Sequence, residues 1–85
     1  METKDQLFIQ LLYIFHASAM QAMGKIKSPI SGNIEKNMDQ AKQAIEMLEM
    51  LKEKTTNNLS ETLSNALDNF LSELRLNYVE ELNKN

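Results

Sequence analysis

Eighty-five residues, 42% apolar and 25% charged with a net charge of −3, suit one globular domain rather than a disordered or modular chain. The composition holds no cysteine, two glycines and one proline, which excludes disulfide frameworks, thiolate metal sites and cysteine nucleophiles and disfavours loop-rich scaffolds. The acidic balance gives no basis for nonspecific attraction to nucleic acid or to anionic lipid.

A first helix is predicted over about residues 3–23. Leu7, Phe8, Ile9, Leu11, Leu12, Tyr13, Ile14 and Phe15 crowd its first half with only Gln10 between them, and Ala17, Ala19, Met20, Ala22 and Met23 continue it. At about 100° per residue these positions point in every direction around the axis. A helix without a polar side is expected to be buried on every side. Two neighbouring helices cannot enclose a third, so a further surface is needed to cover it. Gly24 suits a left-handed C-terminal cap, with Lys25 and Lys27 near the negative end of the helix dipole. Ser28-Pro29-Ile30-Ser31-Gly32 then reads as a turn-rich connection, in which Pro29 keeps Ser28 extended and Gly32 can supply a positive φ.

A second helix is expected over about residues 38–54. Asn37 is placed to cap it, with Gln40 three residues on and Asp39 in the first turn; Asn33 is the alternative cap. Ile34, Met38, Ala41, Ile45 and Leu48 recur at the spacings of a packed helical seam. Ala44, Met47, Met50 and Leu51 widen the stripe to roughly two thirds of the circumference, which is too broad for one contact within the chain. Lys42, Glu46, Glu49 and Glu53 hold the remaining strip, and Lys52 and Lys54 sit at the favourable C-terminal end. Thr55-Thr56-Asn57-Asn58 breaks the pattern, since asparagine tolerates the left-handed region.

Ser60 is placed to cap a third helix over about residues 61–82. Leu63, Ala66, Leu67, Phe70, Leu71, Leu74 and Tyr78 give it one apolar face. The short link between the second and third helices predicts an antiparallel hairpin, and no segment alternates with the period a strand requires. The expected fold is a single all-α domain over residues 1–85, a three-helix arrangement whose first helix packs across the hairpin and whose core is completed by dimerisation.

The order Met23-Gly24-Lys25-Ile26, Pro29, Gly32, then Gln40-Ala41-Lys42-Gln43-Ala44-Ile45-Glu46-Met47-Leu48-Glu49-Met50-Leu51 carries a resemblance. It continues through Lys52-Glu53-Lys54-Thr55, Asn58-Leu59-Ser60 and Glu73-Leu74-Arg75-Leu76-Asn77-Tyr78-Val79-Glu80. Together these segments resemble domain-of-unknown-function family 1844, a group of small helical bacterial proteins. The resemblance implies a helical fold and a cytoplasmic bacterial setting, and it brings no activity, cofactor or catalytic residue. Two positions depart from the family pattern. Asn57 stands where glycine is favoured, and Leu63 stands where an acidic residue would complete the capping box begun by Ser60.

Candidate chemistry is sparse. His16, the one histidine, has no acidic residue three or four positions away, and Glu-x-x-His pairs of the kind di-iron bundles use are missing. It reads as a core or interface residue. Glu46, Glu49 and Glu53 share a helix face with Lys42 and Lys52 nearby, which reads as a solvated surface rather than a metal or acid–base site. Lys25, Lys27 and Lys36 gather near the first connection without arginines or stacking aromatics, as a cap and a solvated loop. No glycine-rich phosphate loop exists. Leu7 to Phe15 followed by Ala17-Ser18-Ala19 imitates a signal peptide, but Glu2 and Asp5 against Lys4 give it the wrong flank, and the apolar run is shorter than the ~20 residues a membrane span needs.

The expected function is therefore a non-enzymatic interaction module that forms a homo-oligomer, a dimer by expectation, and that can also present a surface to another protein. The interface expected from the residues comprises Phe8, Ile9, Leu12, Tyr13, Phe15, Met20, Met47 and Met50, although Met47 and Met50 suit core filling as well. No catalytic residue, metal, cofactor or nucleic acid is expected, and the setting is cytoplasmic. The alternative is a peripheral membrane protein that uses the first helix as an apolar anchor.

Overall fold

A computed structural model describes residues 3–84; Glu2, used in the charge argument above, lies outside them. Three helices follow one another: α1 (Thr3–Ala22), α2 (Met38–Lys54) and α3 (Glu61–Leu82). Among the described residues there is no strand. The body measures 39 × 26 × 16 Å.

The helix ends follow from local chemistry. Asn37 lies outside the helical region and its side chain accepts from the Gln40 amide at 3.1 Å. Ser60 does the same for the Leu63 amide at 3.3 Å, satisfying one orphan donor at each start. Leu63 itself is buried, so the position that would have completed the capping box serves the core instead. At the end of α1 the Gly24 amide bonds the Gln21 carbonyl at 3.0 Å and the Lys25 amide bonds that of Met20 at 2.9 Å. With Gly24 at φ +80° this is a Schellman motif. Asn57 adopts φ +69°, which accounts for a residue that tolerates the left-handed region there. The Thr55 and Thr56 hydroxyls donate to the carbonyls of Leu51, Lys52 and Glu53 and close the C-terminus of α2.

Leu12, Ala19, Ala22 and Met23 meet Ala41, Ala44, Ile45 and Leu48 of α2 and Leu67, Leu71 and Leu74 of α3 in one buried cluster. The four alanines let α1 and α2 approach closely, and the leucines of α3 fill the space behind them. The Asn37 amide donates to the Ala22 carbonyl at 2.7 Å, tying the start of α2 to the end of α1. Ion pairs fasten the other seam: Lys52 to Asp68 at 2.8 Å and Arg75 to Glu49 at 2.6 Å. Ile34, which the sequence places in the seam of the second helix, lies outside α2 and is exposed. Asn37, three residues later, is the extended cap from which the helix starts, so the seam begins only at Met38 and the Ile34 side chain rests against Gly24 instead.

Leu71 is fully buried and Ile30 is 97% exposed. Urea unfolding should therefore show Leu71→Ala losing about 2–5 kcal/mol, and Ile30→Ala changing stability by no more than about 0.5 kcal/mol.

Candidate interaction surface

The side of α1 turned away from α2 and α3 is apolar over its first half. Leu7 is 57%, Leu11 37% and Ile14 63% exposed, and their spacing of four and three residues puts them on one strip. Ser18 and Gln21 continue the same spacing with polar side chains. One residue further on runs the inner stripe, Phe8, Leu12, Phe15, Ala19 and Ala22, about 100° around the axis. This inner stripe remains apolar to the end of the helix, and it is the one that α2 and α3 cover. Phe15 and Ser18 border a shallow groove shared with Gln40, Gln43, Ala44 and Met47 of α2, so the exposed Met47 adjoins the outer strip.

The expected interface residues are distributed as follows. Leu12 is fully buried within its own chain and is not available to a partner. Phe8, Phe15 and Met20 are half-buried against the same core, and Ile9 is likewise half-buried. Tyr13, Met47 and Met50 are exposed. Leu7, Leu11 and Ile14, which are exposed on α1 as well, lie outside that set. Their signal was present in the sequence as the shorter of two parallel stripes, the one that turns polar at Ser18.

Two polar junctions hold α1 and its connection to α3. The His16 Nε2 lies 3.2 Å from the Glu73 Oε1, and its ring packs on Phe70 with centroids 5.0 Å apart. Tyr13 meets the edge of the same Phe70 ring at 5.1 Å. The histidine is thus a junction residue whose acidic neighbour comes from another helix. The second junction surrounds Glu81, whose side chain is 7% exposed. Lys25 and Lys84 each approach its Oε2 at 2.8 Å, and Lys36 approaches Oε1 at 3.1 Å. Lys25 also reaches Glu80 at 3.0 Å. Lys25 and Lys36 are therefore paired with α3, a correction to their reading as a cap and a solvated loop. Bonds from Lys25, Lys84 and Lys36 hold the Glu81 carboxyl well below its ordinary 4.5, at about 2. Glu81 in turn raises the Lys25 ammonium above its usual range, with Glu80 adding to the effect.

Between these junctions the connection forms a closed turn. The Ser28 amide donates to the Asn33 carbonyl at 2.9 Å and the Gly32 amide to the Ser28 carbonyl at 2.8 Å. The buried Ser28 hydroxyl accepts from the Ile30 amide at 3.3 Å. Gly32 takes φ +74°, and Ile30 stands at the tip.

Glu46, Glu49 and Glu53 are all exposed, with Glu49 engaged by Arg75. Among the described residues no group of three or more His, Asp and Glu side chains is arranged to hold a metal ion, and no helix is long and apolar enough to cross a membrane.

Fold and surface together define a small all-α domain of three helices with an uncovered apolar strip on its first. The chain belongs to the family described as Domain of unknown function (DUF1844), which matches residues 5–80. No curated protein and no solved structure shows a significant match to it.

A carboxyl held near 2 by its lysines stabilises the fold at any pH above its unfolded value, and that contribution is lost as pH falls from about 4.5 towards 2. Thermal unfolding followed across that range should show a steep acid limb for the native chain and a flatter one for Glu81→Gln. Equal limbs would mean that the lysine cluster does not govern acid stability.

Proposed function

We propose that this domain is a non-enzymatic interaction module of the bacterial cytoplasm that works as a homo-oligomer through the outer strip of α1. The observation that carries the reading is the run Leu7, Leu11 and Ile14, exposed at the spacing of one helix side. Apolar surface gains roughly 25 cal/mol for each Å² removed from water, and a contiguous patch of several hundred Å² on a small domain marks an association site. The engagement of His16 by Glu73 and Phe70 supports a junction role for the histidine rather than a chemical one. The setting rests on the family resemblance. The cross-helix pairs Lys52–Asp68 and Glu49–Arg75 support an antiparallel α2–α3 hairpin as the frame that presents α1.

Light scattering during size-exclusion chromatography tests the proposal. The native chain should run as an oligomer at micromolar concentration, and Leu11→Asp should run as a folded monomer with an unchanged helical spectrum. Leu12→Asp should instead unfold, because a buried unpaired charge costs several kcal/mol. A native monomer that sediments with lipid vesicles would replace this proposal with an interfacial anchor built from the same strip.

A further inference from the structure

We infer that Met47 and Met50 form a site that peroxides oxidise reversibly, turning one side of α2 from apolar to polar while the core methionines stay reduced. The inference does not rest on the self-association proposed above. The chain has no cysteine and six methionines, so the thioether is its only sulfur group. The fold sorts the described thioethers by access. Met23 is fully buried, and Met20 and Met38 are partly buried against the core. Met47 and Met50 are 39% and 42% exposed. Three residues apart on α2, they share one side of the helix, with about 5–6 Å between their Cβ atoms. Methionine is ordinarily a buried residue, and two open ones side by side make a compact target.

The chemistry favours these two positions. A sulfur lone pair attacks one oxygen of hydrogen peroxide, and the S–O bond forms as the O–O bond breaks. Sulfur gives up two electrons, and the proton on the transferred oxygen passes to the departing hydroxide, which leaves as water. Charge separates along this path, so a wet, polar site helps and a dry core opposes it. Asp39, Gln43 and Glu46 line a shallow groove with Met47, and Glu46, Glu53 and Lys54 stand one turn from Met50. The product sulfoxide is polar where the thioether was apolar. Two thiols reverse the step: they give up two electrons, join as a disulfide, and the oxygen leaves as water. Because neither side chain belongs to the buried cluster, the change stays on the surface of α2.

Treating the native protein with hydrogen peroxide and mapping its peptides by mass spectrometry tests the inference. Met47 and Met50 should gain oxygen at least about tenfold faster than Met23, since susceptibility follows exposure. With both oxidised, the helical spectrum should be unchanged, and methionine sulfoxide reductases supplied with a dithiol should restore both thioethers. In concentrated urea, Met20, Met23, Met38, Met47 and Met50 should all react at like rates, because the fold that sorts them is gone. The double variant Met47→Leu and Met50→Leu should lose the fast phase and keep its helices. Met20 or Met38 oxidised as fast as the pair, or helices lost as the pair reacts, would overturn the inference. So would an order of reaction that persists in urea, or sulfoxides that the reductases leave in place.

Discussion

Three helices packed on one another can each hide only one sector of their surface, and this constraint organises the molecule. In α1 the hidden sector is the stripe Phe8, Leu12, Phe15, Ala19 and Ala22, which lies over Ala41, Ala44, Ile45 and Leu48 and against the leucines of α3. Everything else on α1 has to be met by water or by another surface. His16 and Tyr13 meet the Phe70 ring on the α3 side. Leu7, Leu11 and Ile14 stay exposed. An apolar helix that the fold covers only in part is the source of the proposed association.

The connection between α1 and α2 is held by hydrogen bonds at both ends and in its middle. Its start is turned by the Schellman motif at Gly24, its middle is closed by Ser28 and Gly32, and its end is fixed by the Asn37 amide on Ala22. The lysines at its two ends, Lys25 and Lys36, both reach Glu81. A carboxylate this enclosed would destabilise the fold if it stood alone, and cations on both its oxygens offset the loss of water. The last turn of α3 thereby acts as an anchor for the first connection, and the chain is joined across more than forty residues.

Local features were legible in the sequence wherever a single residue decides the backbone. Asn37 and Ser60 mark helix starts because their side chains can take an amide, and Gly24, Gly32 and Asn57 mark left-handed positions because few other residues accept them. The helix bounds accordingly agree with those expected to within a residue. Choices that depend on a distant neighbour were not legible. An apolar residue at every angle of α1 says nothing about which side the other helices will take, and Leu12 was therefore assigned to a partner although its own chain encloses it. The acidic neighbours of His16, Lys25 and Lys36 lie more than forty residues away, where no spacing rule reaches. Ile30 was passed over for a similar reason: its exposure follows from the hydrogen bonds of Ser28, not from its own character.

The pairings of α1 with α3 also set where the chain enters and leaves. His16 lies beside Glu73 and Lys25 beside Glu81, so the two helices run in the same direction. Thr3 and Lys84 consequently sit at opposite poles, separated by roughly 30 Å of helix axis. A circularly permuted version would need a linker along the whole body, on the order of ten extended residues. Domains fused to the two termini would be held apart, one at each pole.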